Sequence, residues 1–284
     1  MEEKGIGKIQ MIIVIIIVIV IGTIGASALG GNGSIEKLKI SGSTTVRPLA
    51  RTWRNNYMEE HTGVRISVSG GGSGQGVADL LEGRSEIGMS SSESLIDLEN
   101  ELVKHVVAWD GIMVIINKNF PEHDTLMEKG ISKDTLQKIY NGKITNWKEV
   151  PNVNVDHQLN NYTRSEASGT AETFAGFLGM TQGELDGAGQ TGNSGVKQAV
   201  EQDKFSLAYI GAAYAFTGSI DEVPVDGNND GEVQESEIIE DYNDLKSDVA
   251  DYPIKRGLYF ATKGEPTGFT REFLEWCENQ GQKY

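Results

Sequence analysis

The sequence predicts an α/β fold, and two observations lead there. From Leu38 onwards, short segments with strand-like alternation take turns with segments of helical length. Their junctions are clusters of glycine with serine or threonine, the residues of tight turns and helix starts. No tandem repeat and no long low-complexity tract interrupts the alternation.

In chain order, Lys39 to Ser41 reads as a short strand ending in a glycine turn, and Pro48 to His61 as a helix. Val64 to Ser69 alternates β-branched residues with Arg65 and Ser67, a strand pattern. Gly76 to Glu82 reads as a helix, Ile87 to Ser90 as a strand, and Val106 to Ile116 as a long apolar strand. Ser132 opens a helix that runs to Tyr140. Helices are expected at Gly169 to Leu178 and Val196 to Gln202, strands at Phe205 to Ile210 and Gly257 to Ala261, and a closing helix at Phe269 to Asn279.

The N-terminus is of another kind. Lys4 and Lys8 precede an apolar run from Met11 to Ile24, and Ala26 and Ala28 follow in an A-x-A arrangement. A basic start, an apolar stretch and small residues describe a secretory signal peptide, with an uncleaved membrane anchor as the alternative. No cysteine follows the run, so a lipid anchor of the bacterial type is excluded. Residues 1–34 are therefore assigned to a signal or anchor helix with a short linker, Gly30 to Ser34. The chain is expected to be exported, and to touch the membrane only through this segment if it is retained. About 250 residues remain to fold, enough for one large domain or two lobes.

Composition narrows the function. The chain of 284 residues has a formal net charge of −16, which argues against a nucleic-acid partner. It also makes the average field repulsive for anions, so an anion site would need strong local donors. Cys277 is the single cysteine, which rules out an intrachain disulfide. His61, His105, His123 and His157 are scattered without metal-ligand spacing, which argues against a catalytic zinc.

The informative pattern is a glycine–hydroxyl turn before a helix, found at Ser41–Pro48, Gly70–Gly76 and Arg164–Thr170, with a related turn at Gly192–Gly195. A helix N-terminus leaves backbone N–H groups unpaired and carries about half a positive charge. An anion placed there accepts several hydrogen bonds at once, serine and threonine hydroxyls add donors, and glycine permits close approach. Arg164 adds a guanidinium suited to a two-point contact with an oxyanion. The competing reading of any single turn is ordinary N-capping. A secreted hydrolase using Ser73 or Ser168 is the enzyme alternative. Its G-x-S-x-G motif is incomplete at Gly71–Gln75, and no histidine is placed by a motif.

At these turns the chain closely resembles the phosphate-binding subunit of phosphate ABC transporters. The resemblance rests on GSTTVRP at Gly42–Pro48, GGGSGQG at Gly70–Gly76 and R-x-x-x-S-G-T at Arg164–Thr170. Further matches are DG-x-x-V-x-x-N at Asp110–Asn117, L-x-x-I-Y-x-G-K-I-T-N-W at Leu136–Trp147, N-x-G-V at Asn193–Val196, and the stretch Tyr252–Pro266. The motif order agrees from about Lys39 to the C-terminus.

The resemblance implies a two-lobed type II periplasmic-binding-protein fold with two crossover segments, near Gly111 and near Lys255–Gly257. Residues 35–111 and 256–284 would form one lobe and 112–255 the other. It implies capture of inorganic phosphate between the lobes and delivery to the permease and ATPase subunits of a transporter, without catalysis or a required cofactor. Ser43, Thr44, Thr45, Ser73, Ser91, Arg164, Ser168, Gly169 and Thr170 fall at its ligand positions. Sulfate, molybdate and tungstate are the alternative ligands; an anion-sensing surface protein without a transporter is the alternative role.

One departure bears on selectivity. Well-known members carry an acidic residue, which accepts the proton of hydrogen phosphate, where Ser91 stands here. The sequence leaves Asp110 or Glu93 as substitutes for it, although Asp110 reads equally as a turn residue before Gly111.

A second candidate lies in the acidic tract Asp221–Asp251. Asp226, Asn228, Asp230, Glu232 and Glu237 fit D-x-[DN]-x-[DN]-G-x₅-E, the spacing of a calcium loop, with Gly231 at the sharp turn. Pro224 stands where an EF-hand has a helix, so a solvated acidic loop is the other reading. Calcium, if bound there, would be structural.

Overall fold

In the first sheet, β1 (Glu36–Gly42) lies between β2 (Val64–Val68) and its parallel partner β3 (Ile87–Ser90). α1 (Arg47–Glu60) and α2 (Ser73–Leu81) connect these strands, and the short α3 (Ser94–Asp97) follows. The computed structural model describes residues 35–239 and 252–283, so the signal or anchor segment expected at 1–34 lies outside the described residues.

β4 (Leu102–Asn117) is the longest strand and joins two sheets. Its first part pairs antiparallel with β11 (Lys255–Lys263), from Leu102 opposite Lys263 to Gly111 opposite Lys255. From Ile112 onwards its partners are β8 (Ser206–Gly211) and β9 (Ile220–Val223). The burial pattern changes with the partner. Exposed and covered residues mix up to Trp109, whereas Asp110–Asn117 is buried on both faces. A strand covered on both faces reads as the continuous apolar run Ile112–Ile116.

The remaining elements belong to the second sheet or cover it. They are α4 (His123–Lys129), β5 (Ile131–Ser132), α5 (Lys133–Tyr140), β6 (Asn160–Arg164), α6 (Gly169–Phe177), β7 (Ala188–Gln190), α7 (Gly192–Gln202) and β10 (Val225–Asp226), with α8 (Gly268–Asn279) closing the chain on the first sheet's side. The hydrogen-bonded path runs β2-β1-β3-β11-β4-β8-β6-β7. β6 is parallel to both β7 and β8.

The buried apolar side chains separate in the same way. One cluster gathers residues between Ile112 and Ile254, around Trp147, Phe174 and Tyr209. Another gathers Leu38–Val107 with Leu258–Cys277, around Trp53, Phe260 and Phe273. Trp53 meets Phe260 edge-on at 5.7 Å and donates its indole N–H to the Gly281 carbonyl at 2.9 Å. Trp147 does the same for the other cluster, packing 4.2 Å from Phe120 and donating to the Phe205 carbonyl at 2.8 Å. Each such ring contributes about 3 kcal/mol by leaving water, and its one polar atom is satisfied.

Two helices start earlier than the sequence suggests. α2 begins at Ser73 rather than Gly76, and α7 at Gly192 rather than Val196. Glycine has low helix propensity, so both glycine-rich stretches read as loop. Tertiary packing overrides that preference. A Cβ on Gly76 would stand 2.7 Å from the Met89 carbonyl oxygen and 2.8 Å from Gly42 Cα, so the helix runs against β1 and β3 only through a glycine. β6 carries no apolar run and is a strand because β7 and β8 flank it.

Candidate oxyanion site between the two sheets

The candidate residues sit where parallel strands end and helices begin. β1 ends at Gly42 and delivers Ser43, Thr44 and Thr45 ahead of α1; β3 ends at Ser90 and delivers Ser91. β6 ends at Arg164 and leads through Ser168 into α6; β7 ends at Gln190 and leads into α7. Carboxyl ends of parallel strands are where open α/β sheets hold ligands. Ser73 opens α2. Four helix N-termini therefore converge, from α1 and α2 on one side and α6 and α7 on the other.

Ser43, Thr45, Ser73, Ser91, Arg164, Ser168, Gly169 and Thr170 are buried, and Thr44 is half-buried. Ser43 donates its hydroxyl to Ser91 Oγ at 3.0 Å. Ser73 Oγ lies 3.3 Å from Ser91 Oγ and accepts from the backbone N–H groups of Ser91 at 3.1 Å and Gly169 at 3.3 Å. Thr45 and Thr170 share a hydrogen bond of 3.0 Å. Arg164 Nη2 donates to Thr44 Oγ1 at 3.2 Å. Ser168 accepts from the Ala171 N–H at 3.3 Å, which is the ordinary work of an N-cap. The contacts from Gly169 to Ser73, Thr170 to Thr45 and Arg164 to Thr44 all run from one sheet's turns to the other's.

Glycine makes that approach possible. A Cβ on Gly169 would lie 2.6 Å from the Ser91 carbonyl carbon. One on Gly74 would lie 2.7 Å from Ala167 Cβ, and Gly74 N–H donates to the Ala167 carbonyl at 3.3 Å. Beside this contact a groove of about 840 Å³ runs between Ser92–Asp97 and Ala167–Gly183.

Arg164 is the dominant donor. Its side chain is 1% exposed, it is paired with Glu166, and its Nε is buried without a hydrogen-bond partner. A buried guanidinium N–H left unpaired costs more than a typical hydrogen bond contributes, so an oxyanion accepting from it gains accordingly.

The structure adds Arg256 and Asn193, which sequence reasoning did not place here. Arg256 lies beneath the hydroxyls. Its Nη2 donates to Thr45 Oγ1 at 3.2 Å and its Nη1 to the Ser91 carbonyl at 3.4 Å. Its counter-ion is Asp110, at 3.0 Å from Nε and 2.8 Å from Nη2. Burial pushes the Asp110 carboxyl upward, while Arg256 and the N–H groups of Ala212 and Gly111 pull it back. Asn193, fully buried, donates to Thr45 Oγ1 at 2.8 Å and accepts from Arg164 at 3.4 Å and from the Gly211 N–H at 3.3 Å. Glu166 also accepts from the Gly192 N–H at 3.2 Å, and Tyr214 donates to the Thr44 carbonyl at 2.8 Å. Signals existed: Asp110, Asn193 and Arg256 all fall inside the matched motifs.

Neither Asp110 nor Glu93 touches the hydroxyl cluster as a free acceptor. Asp110 is held by Arg256, and Glu93 accepts from Lys104 and, at 3.4 Å, from the Tyr259 hydroxyl. The histidines hydrogen-bond elsewhere: His61 with Tyr57, His105 with Thr262, His123 with Asp124 and Asp221, and His157 with Gln158. Ser73 and Ser168 thus have no histidine hydrogen-bonded to them.

The acidic loop is apart from this cluster. Asp226 accepts from the N–H groups of Asp230 at 3.2 Å and Gly231 at 3.0 Å, and Asn228 from Asp230 at 2.9 Å. Asp230 accepts from Glu232 N–H at 2.9 Å, and Glu237 from the N–H groups of Gly227 at 2.8 Å and Gln234 at 2.9 Å. Asp226 and Glu237 are buried, whereas Asn228, Asp230 and Glu232 are exposed. Among the described residues, no three His, Cys, Asp or Glu side chains are grouped so as to hold a metal ion.

Comparison with known proteins places the chain. Residues 27–278 match the family model of the PBP superfamily domain. The phosphate-binding protein PstS of Bacillus subtilis is 30% identical over 258 residues, covering 89% of this chain and 79% of that protein. This chain belongs to the phosphate-type substrate-binding proteins of the PBP superfamily. A crystal structure of a putative phosphate ABC transporter substrate-binding protein from Clostridium perfringens, with bound phosphate, is 28% identical. It superposes with a TM-score of 0.72, over 87% of this chain and 96% of that one. An ABC-type phosphate transport receptor from Vibrio cholerae, at 22% identity and a TM-score of 0.63, shares the fold over 87% of this chain and 95% of its own. Family membership agrees with the two-lobed fold implied by the motifs.

Proposed function

We propose that this protein captures inorganic phosphate outside the cell and delivers it to the permease and ATPase subunits of an ABC transporter. One observation carries the reading: Arg164, buried with a side-chain exposure of 1% and an unpartnered Nε, stands among hydroxyls and N–H groups from four helix starts. Such a constellation supplies many donors to a dehydrated tetrahedral anion. The names of the Bacillus subtilis and Clostridium perfringens relatives support phosphate as that anion.

The mechanism follows from where the donors come from. Ser43, Thr44, Thr45, Ser73 and Ser91 would belong to a lobe made of 35–111 and 256–284; Arg164, Ser168, Gly169 and Thr170 to a lobe made of 112–255. A ligand contacting both sets is bound more tightly when the lobes meet, so binding and closure are one equilibrium. The strand register supports pivots near Gly111 and Lys255–Gly257, where β4 leaves β11 for β8. No bond is made or broken, and no cofactor is required. Export through 1–34 and contact with the transporter at the cleft-side faces of both lobes complete the proposal. Among the described residues, no helix is long and apolar enough to cross a membrane.

The test is calorimetric titration of the purified, anion-stripped protein with phosphate. Tight one-to-one binding is expected. Absence of binding by the folded protein would return the turns to plain helix capping.

A further inference from the structure

Gln182 stands outside every motif set out above, in the short turn Gln182–Glu184 that follows α6. The turn has a firm base. Glu184 accepts from the Thr181 N–H at 2.8 Å and from its hydroxyl at 2.9 Å, and the Asp186 N–H donates to the Tyr140 carbonyl at 2.7 Å. From this base the Gln182 amide reaches back to the ligand turn ahead of α6. Its Nε2 donates to the Glu166 carbonyl at 2.6 Å, and its Oε1 accepts from the Ser168 N–H at 3.0 Å. Residues 165–168 lie between β6 and α6 without a helix or strand of their own, so such bonds decide their course.

The two bonds grip the peptide groups on either side of Ala167. A peptide group is planar and trans, so holding the Ser168 N–H also fixes the direction of the Ala167 carbonyl in the same group. That carbonyl accepts from the Gly74 N–H at 3.3 Å, across to the first turn of α2. The fit there is close: a Cβ on Gly72 would stand 2.7 Å from the Ala167 oxygen. Ser73, between these two glycines, accepts from the Gly169 N–H at 3.3 Å.

From this geometry we infer that Gln182 is a positioning residue for anion capture: by setting the Ala167 carbonyl, it sets the separation of the ligand turns at Ser73 and at Ser168–Thr170. This rests on the phosphate reading and extends it to a side chain whose amide is spent on backbone groups. A turn held in advance need not be ordered when the anion arrives, and that ordering would otherwise be subtracted from affinity.

The experiment is calorimetric titration of the full-length protein with phosphate, in a double-mutant cycle. Gln182→Met keeps the length of the side chain and removes both bonds. It should weaken phosphate by about tenfold, with the ligand-free melting temperature lowered by no more than about 4 °C. Gly74→Ala disturbs the same contact from the other side. If Gln182 acts through Ala167, the double variant should bind within about threefold of the weaker single variant, whereas independent effects would multiply. A merely structural role for Gln182 would give that multiplication. If Gln182→Met does not fold, Gln182→Asn, whose shorter stem cannot span both peptide groups, goes through the same cycle and is judged by the same result. Wild-type affinity in the Gln182 variant, or effects that multiply, overturns the inference and leaves the phosphate reading standing. Failure of the folded wild type to bind phosphate overturns that reading and the inference with it.

Discussion

Arg256 and Asp110 face each other in register across β11 and β4, with Nη2 2.8 Å from Oδ2, on the strands that join the two sheets. The guanidinium also holds Thr45 Oγ1 and the Ser91 carbonyl, so the same pair links the crossover to the ligand turns. Burial pushes the Asp110 carboxyl up and the Arg256 guanidinium down, and the attraction between the two offsets the lost hydration of both.

Asp110→Ala should therefore be costly. It strands a buried guanidinium, and loss of one partner of such a pair costs about 3–5 kcal/mol. Urea unfolding should show that loss. The double replacement Asp110→Leu with Arg256→Met should recover most of it yet still lower phosphate affinity, because Thr45 loses a donor.

Arg164→Lys should weaken phosphate by about 100-fold, near 3 kcal/mol, while leaving the fold intact. A lysine keeps the charge opposite Glu166 but cannot reproduce the fork that reaches Thr44 and Asn193 together. Calorimetry alongside a thermal melt separates lost affinity from lost structure.

Gly74→Ala should move stability and affinity in opposite directions. Gly74 lies in the first turn of α2, where alanine favours helix by up to about 1 kcal/mol. The added methyl would stand 2.7 Å from Ala167 Cβ, on the other side of the contact. The ligand-free melting temperature should hold or rise, and phosphate affinity should fall by about tenfold. Equal affinity would show that the Gly74–Ala167 approach is not needed for binding.

Glu222 gives a pH prediction. Burial raises its carboxyl from 4.5 to about 7, and its Oε1 is buried without a partner. Between these values the folded chain holds a proton that the unfolded chain has lost. This group's contribution is therefore fully present below about 4.5 and is lost as pH rises through about 7. Glu222→Gln stays neutral throughout. At pH 8 it should be more stable than the wild type by about 1–2 kcal/mol, allowing for partial solvent exposure, with little difference at pH 4. Denaturant midpoints at the two pH values test this.

Much of the fold is legible in residues taken one at a time. Ser132 and Ser168 cap their helices as their position before a helical stretch suggests, each accepting an N–H three residues on. The run Ile112–Ile116 is a strand buried on both faces because an unbroken apolar stretch has no side for water. The turns Ser43–Thr45, Gly70–Ser73 and Arg164–Thr170 announce N–H groups and hydroxyls at helix starts, since that chemistry is local.

What lay beyond the sequence is every relationship between distant segments. Nothing within a window of residues says that Arg256 lies under Thr45, that Asn193 bridges Thr45 to Arg164, or that Asp110 is a counter-ion rather than a turn residue. The start of α2 at Ser73 was decided by Gly76 pressing against Gly42 and the Met89 carbonyl, a contact between segments that outweighs glycine's own reluctance to be helical. The sequence determined which groups the cleft contains; the packing of the two sheets determined which of them remain free to meet an anion.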